Sequence, residues 1–244
     1  MESGRSSHRH YLLLSGGLDS ATLAGWLCER YGAHVTYAVT FLYGQKHGVE
    51  LEAARKVAVF YGLASHQVAE IPAIHGSALT DPESPLPVGR DLQTVHGVAP
   101  SYVPARNLLF LAHLASLADA VGPATLWLGV HHDDHTGYPD CRPEFVSAAD
   151  EAVRQGTQYG LRVEAPFIRQ RKEDIVRWGL EHGVPYHLTH SCYQGLVPAC
   201  GACDTCQARL AAFAAVGAQD PIPYAQSGTA GGATGSVRSP ISRP

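Results

Sequence analysis

A chain of 244 residues, 45% hydrophobic and with a formal charge of 18 − 22 = −4, fits one large α/β domain, or one domain with a small appendage. The acidic balance speaks against broad binding to a nucleic-acid backbone, and no apolar run approaches the roughly 20 residues of a membrane span. The opening MESGRSSHRH lacks the apolar core of a secretion signal, so residues 1–10 are expected to be disordered and the protein cytoplasmic.

The first strand is expected over 11–14. It runs straight into Ser15-Gly16-Gly17-Leu18-Asp19-Ser20 and then a helix over 21–31. Gly16 and Gly17 let the backbone turn sharply and approach a ligand, because neither carries a Cβ. The helix start then offers free N–H groups and a positive dipole end, which suit a phosphate. Ser15 and Ser20 add hydroxyls. Asp19 would repel a bare phosphate, and makes sense there if it helps to hold Mg²⁺. The plainer alternative is a tight strand–helix turn with Asp19 as its cap. Neither G-x-x-x-x-G-K-[ST] nor G-x-G-x-x-G occurs, so the common nucleotide fingerprints do not apply.

Further strands are expected over 35–41, 67–71, 125–130 and 161–165, with helices over 49–61, 108–121, 144–158 and 172–182. This alternation predicts an α/β fold with a doubly wound, mainly parallel five-stranded sheet. Ligands of such sheets sit beyond the carboxyl ends of the strands. Three polar loops lie there: SGGLDS, FLYGQKH and GVHHDDHTGYPDC. The stretch 72–104, rich in Pro and Gly, is long enough to be a lid or partly disordered. The tail, QSGTAGGATGSVRSPISRP from 226, has the composition of a disordered segment.

Cys192, Cys200, Cys203 and Cys206 follow C-x7-C-x2-C-x2-C. Four thiolates at that spacing can close on one tetrahedral ion, the structural zinc arrangement, with an iron–sulfur cluster as the rival. Cys28 reads as a packed helix residue. Cys141 reads as a packed thiol or a substrate neighbour. His131, His132, Asp133, Asp134 and His135 read on their own as a metal-binding cluster or a solvated loop.

SGGLDS, YGQKH, GSALTD, SYVPARN, TGYPDCRPEF, EAPFI, YHLTHSCY and CGACDTC occur in the order found in the QueC family of PP-loop ATP pyrophosphatases, which the chain resembles over about 11–221. The resemblance implies a PP-loop, Rossmann-type α/β domain over 11–190, a zinc-binding helical segment over 191–221 and a disordered tail over 222–244. It implies a carbon–nitrogen ligase of queuosine and 7-deazapurine biosynthesis. Such an enzyme takes 7-carboxy-7-deazaguanine, ammonia and ATP with Mg²⁺, adenylates the carboxylate, forms an amide and dehydrates it to 7-cyano-7-deazaguanine (preQ0), releasing AMP and pyrophosphate. Carried over by position, Leu14, Ser15, Gly16, Gly17, Leu18, Asp19, Ser20, Ala21, Thr22, Leu23 and Ala24 would bind ATP. Asp19, Ser20 and Lys172 would be catalytic, Lys172 aimed at phosphate, although a lysine at a helix start also reads as a surface residue. Tyr43, Gln45, Arg106, Asn107, Tyr138, Asp140, Arg142 and Glu144 would surround the deazaguanine or AMP, with a structural ion pair as the other reading of Arg142. The four cysteines would hold one structural Zn²⁺, and a homodimer is implied.

The chain departs from the family pattern at Leu42, where Asp is usual, at Ala105, where Gly is usual, and at His131 and His135. A relative that stops at the amide, or joins the activated carboxylate to another amine such as one on a protein, would keep the same ATP and zinc motifs. A PP-loop tRNA-thiolating enzyme fits less well. It needs a basic face and a free sulfur-carrying cysteine, against a charge of −4 and four cysteines in a metal pattern.

Overall fold

The computed structural model describes residues 8–45, 48–89 and 97–225. Strands β1 (Arg9–Leu13), β2 (Thr36–Leu42), β3 (Ser65–Glu70), β4 (Ala124–Trp127) and β5 (Arg162–Glu164) form one sheet in the order β3-β2-β1-β4-β5, every pair parallel. Helices α1 (Leu18–Tyr31), α2 (Val49–Tyr61), α3 (Arg106–Asp119), α4 (Pro143–Gly156), α5 (Lys172–Glu181) and α6 (Asp204–Ala215) cover it.

The period of two along each strand divides the core into two layers. Tyr11, Val39, Phe41 and Leu126 face α3 and α4, with Phe110, Leu111 and Leu114 packed on them. Leu12, Leu14, Ala38 and Trp127 face the other way, against Leu23 and Leu27 of α1, Val57 of α2, Ile175 and Val176 of α5 and Phe213 of α6. The expected doubly wound sheet is therefore observed. Chain direction through the sheet reverses at β1, whose neighbours are β2 and β4, so a crevice opens beyond the carboxyl ends of β1 and β4.

Several element edges differ from the sequence reading. Helix α1 starts at Leu18 rather than 21, because Leu18 is buried and the Ala21 N–H already donates to Gly17 O at 3.1 Å. Strand β4 stops at Trp127, after which Leu128, Gly129 and Val130 line the crevice. Arg9 and His10, expected in the N-terminal tail, start β1.

The long 72–104 stretch is anchored at several of its described residues, with others exposed between them. Leu79 and Val103 are buried in the α3 layer, and the Gly89 N–H donates to Ala202 O at 2.9 Å. Its middle, 90–96, lies outside the described residues, as do 1–7, Lys46–His47 and the tail from 226. The first four residues of the expected tail are folded: Ile222 is buried against the cysteines, Tyr224 bridges Ala199, and the Ala225 N–H donates to Ala199 O at 2.8 Å.

Candidate active site

Gly16 sits at φ +84°, in the region that L side chains rarely adopt, and a Cβ there would stand 2.2 Å from the Glu50 carbonyl oxygen. Only glycine lets β1 turn this close under α2. The turn is then closed by its own hydroxyls. The Ser15 N–H donates to Ser20 Oγ at 3.2 Å, the two hydroxyls lie 3.1 Å apart, and Ser20 Oγ donates to Gly17 O at 3.2 Å. No side chain caps α1, so its first N–H groups remain available to a ligand. On the far side the His190 N–H donates to Gly16 O at 2.9 Å, tying in the segment before the cysteines.

Asp19 does not cap this helix. Its Oδ2 accepts from Lys172 Nζ at 2.7 Å, and its Oδ1 lies 3.6 Å from His131 Nε2. His131 is buried, and its Nε2 is also 3.2 Å from Lys172 Nζ and 3.5 Å from Asp134 Oδ2. Burial opposes ionisation of Asp19, but Lys172 and His131 outweigh it and hold the carboxyl below its usual range. Burial likewise opposes charge on His131, and Asp134 and Asp19 outweigh that and raise it. Asp19 Oδ1 is buried and makes no hydrogen bond, with the His131 imidazole as its nearest basic neighbour, so it could be offered to a cation in place of that contact.

The crevice contains a cavity of about 250 Å³, walled by Ser15, Gly17, Asp19 and Ser20 at one end and by Tyr43, Gln45, Arg106, Asn107 and Tyr138 at the other. All three loops anticipated from the sequence reach it. Arg106 Nη1 donates to the Tyr43 hydroxyl at 3.1 Å. Tyr138 OH lies 2.7 Å from Ser101 Oγ and 3.2 Å from Tyr193 OH. Gln45 secures its own turn, accepting from the Tyr43 N–H at 2.8 Å and donating to Phe41 O at 3.2 Å.

Other anticipated residues lie elsewhere. Leu14 and Leu18 line the cavity, but Ala21, Leu23 and Ala24 point into the core, and Thr22 bonds to Leu18 O and Tyr186 OH, each at 2.9 Å. A run of consecutive helical residues cannot all face one ligand. Asp140 is buried behind the wall, where its carboxylate accepts from the Asn107 N–H at 2.9 Å and its carbonyl from Asn107 Nδ2 at 2.9 Å. It pins the start of α3. Arg142 is exposed and donates from Nε to His135 O at 2.9 Å, and Glu144 is exposed in the first turn of α4. Cys141 lines the cavity but accepts from Asn107 Nδ2 at 3.4 Å, and burial pushes its thiol well up, which makes it a poor nucleophile.

Sequence reasoning passed over Tyr193 and Glu50, which line the cavity, and gave Asp134 no role in it. Glu50 sits in an ordinary amphipathic helix and carries no motif. Tyr193 directly follows Cys192, in a stretch whose spacing speaks for its thiols and not for the ring.

The four cysteines converge, their sulfurs all within 4.8 Å of one another. Cys200 and Cys206 Sγ are 3.9 Å apart, close to the roughly 3.8 Å edge of a tetrahedron with metal–sulfur bonds of about 2.3 Å. Backbone N–H groups of Cys200, Ala202 and Cys203 donate to Cys192 and Cys200 sulfurs at 3.3–3.4 Å, which favours thiolates. Four sulfurs of this softness and spacing fit a metal ion with no position left open.

A family model described as queuosine biosynthesis protein QueC matches residues 9–217. A 7-cyano-7-deazaguanine synthase of Syntrophotalea carbinolica is 45% identical over 233 residues, covering 90% of this chain and 98% of that protein. The proteins of the same name from Oceanobacillus iheyensis and Thermosynechococcus vestitus are each 42% identical, over 87% and 90% of this chain and 96% and 97% of theirs.

Proposed function

The chain belongs to the QueC family of queuosine biosynthesis proteins, and from that premise we infer that it is an ATP-dependent carbon–nitrogen ligase making 7-cyano-7-deazaguanine from 7-carboxy-7-deazaguanine and ammonia. The observation that carries this reading is that one crevice holds both the Ser15–Ser20 turn and the Arg106 end of the cavity. A nucleotide phosphate and a substrate carboxylate can meet there.

A carboxylate is a poor electrophile at neutral pH. Its oxygen attacks the α-phosphorus of ATP, pyrophosphate leaves, and the carbonyl carbon now carries AMP as leaving group. Ammonia forms the C–N bond and AMP departs with the electron pair. The amide oxygen then attacks the α-phosphorus of a second ATP, pyrophosphate leaves, and departure of AMP with loss of the two N–H protons gives the nitrile. Ser15, the Gly17 backbone and the start of α1 would hold phosphate oxygens. Arg106, braced by Tyr43, would take the substrate carboxylate, a role better suited to it than to the exposed Arg142. Tyr138 and Tyr193 would wall the deazaguanine ring. Asp140 acts through Asn107 rather than by touching ligand.

Asp19 Oδ1, which makes no hydrogen bond, would help to hold Mg²⁺, which shields phosphate charge when bound. Lys172 beside it would meet the phosphates as Asp19 turns to the cation. Zinc is the metal that four closed thiolates favour, and it would brace the segment that reaches Gly16 through His190. A cytoplasmic setting, where thiolates stay reduced, and a homodimer follow from the family resemblance.

The test is mass spectrometry of products from 7-carboxy-7-deazaguanine, ATP, Mg²⁺ and ammonium. Nitrile with AMP and pyrophosphate is expected. ADP as the main nucleotide product would overturn the PP-loop chemistry, and an amide or another amine adduct as end product would replace the nitrile in this reading.

A further inference from the structure

A second cavity, of about 740 Å³, opens beside the first and shares Asp134, Tyr138, Tyr193 and Thr205 with it. His132, Asp133, Thr136 and Arg171 are exposed at its rim, so it reaches solvent, while His131 and Lys172 bring its inner wall to Asp19. The active-site crevice thus has two openings onto one junction.

The chemistry of this wall is unlike that of a phosphate site. Four carboxylates line it, Asp133, Asp134, Glu173 and Asp204, against three basic groups, Arg171, Lys172 and the His131 imidazole, which lies 3.5 Å from Asp134 Oδ2. The Lys172 ammonium is already paired to Asp19 at 2.7 Å. The start of α5 faces the cavity and would ordinarily attract an anion. Two of the N–H groups there are taken by the chain's own carboxylates: Lys172 N–H donates to Asp133 Oδ2 at 2.9 Å and Arg171 N–H to Asp174 Oδ2 at 3.1 Å. A phosphate meets filled donors and like charge there, whereas a small cation meets attraction.

We propose that this second cavity is the port through which the nitrogen donor reaches the activated carboxylate, drawn in as the ammonium cation by the Asp133–Asp134–Glu173–Asp204 wall. The inference rests on the functional reading above, which requires an amine but assigns it no path. Asp134, at the junction of the two cavities, is the last carboxylate ammonium meets. One proton leaves to water in the open cavity. Ammonia then forms the C–N bond as the carbon–oxygen bond to AMP breaks, and the new amide nitrogen sheds a second proton. Two openings let ATP and the amine arrive without displacing one another.

Glu173→Gln and Asp134→Asn test the port, with ammonium chloride varied and AMP release followed at low and high salt. Removing one carboxylate charge should raise the KM for ammonium by about threefold or more at low salt, with a smaller effect at high salt, and Glu173→Gln should leave the KM for ATP unchanged. Hydroxylamine, neutral under the assay conditions, should trap the activated carboxylate equally well in wild type and Glu173→Gln. Exchange of labelled pyrophosphate into ATP, dependent on 7-carboxy-7-deazaguanine and run without ammonium, reports the first step alone. Exchange retained with an unmoved ammonium KM in both variants overturns the port. Parallel losses with ammonium and hydroxylamine in Glu173→Gln also overturn it. Absence of exchange in the wild type overturns the functional reading instead.

Discussion

Arg209 and Asp220 form the most deeply buried ion pair among the described residues, and replacing Asp220 by Asn isolates what it does. Both side chains are 1% exposed or less, and the guanidinium grips the carboxylate through two contacts, Nε to Oδ2 at 2.6 Å and Nη2 to Oδ1 at 2.9 Å. Asn keeps the shape and removes the charge, leaving a cation in the interior. Breaking such a pair costs about 3–5 kcal/mol. Arg209 keeps contacts to Thr189 Oγ1 at 2.6 Å, Tyr186 O at 3.1 Å and Ser191 Oγ at 3.3 Å, which places the loss near the lower end. For a domain of this size about 3 kcal/mol corresponds to a melting temperature lower by about 6–12 °C. Arg209 also joins α6, through Thr189 and Ser191, to the segment that carries His190 into the cavity wall, so ATP affinity should weaken only as far as loss of Asp220 lets the guanidinium shift. Urea denaturation followed by tryptophan fluorescence measures the loss. Arg209→Met combined with Asp220→Leu leaves no buried charge and should be more stable than Asp220→Asn alone. A single variant within about 1 kcal/mol of wild type, or a double variant that loses the sum of both singles, would refute the reasoning.

Burial raises the Glu50 carboxyl to about 7, against the opposing pull of Arg106. A carboxyl raised in the folded state costs stability as pH climbs from its unfolded value through 7. Glu50→Gln should therefore match wild type near pH 4 and gain up to about 3 kcal/mol near pH 8, and a pH-independent difference in melting curves would count against it. Ala105 holds φ +51° at the start of α3, so Ala105→Gly should raise the melting temperature by about 1–4 °C, and calorimetry showing a decrease would rule out strain there. Cys203→Ser should abolish metal binding in elemental analysis and lower the melting temperature; full metal content in that variant, or iron with acid-labile sulfide in the wild type, would remove zinc from the account. Asp19→Ala should retain the fold by circular dichroism and lose most AMP formation, and near-normal turnover would take Asp19 out of the reaction.

The fold class, the strand order along the chain, the Ser15–Ser20 turn at the mouth of the crevice and the convergence of the four cysteines were legible in the sequence because each is a local pattern. Alternation of short apolar runs with amphipathic stretches, two glycines after a strand, and thiols at two-residue spacing carry their meaning within a dozen or so positions. What only the tertiary structure decided is which side chains share a wall. Asp19 is 153 positions from Lys172 and 112 from His131, yet it bonds to the first and faces the second across the reversal point of the sheet. Asp140, Arg142 and Glu144 stand within one motif, but one short turn sends the first behind the cavity and the other two to the surface. Ala21 to Ala24 follow the phosphate turn directly, and the 3.6-residue period of α1 carries them into the core. Spacing along a chain determines which elements form, whereas the direction each side chain takes depends on how those elements pack, and binding chemistry depends on that direction.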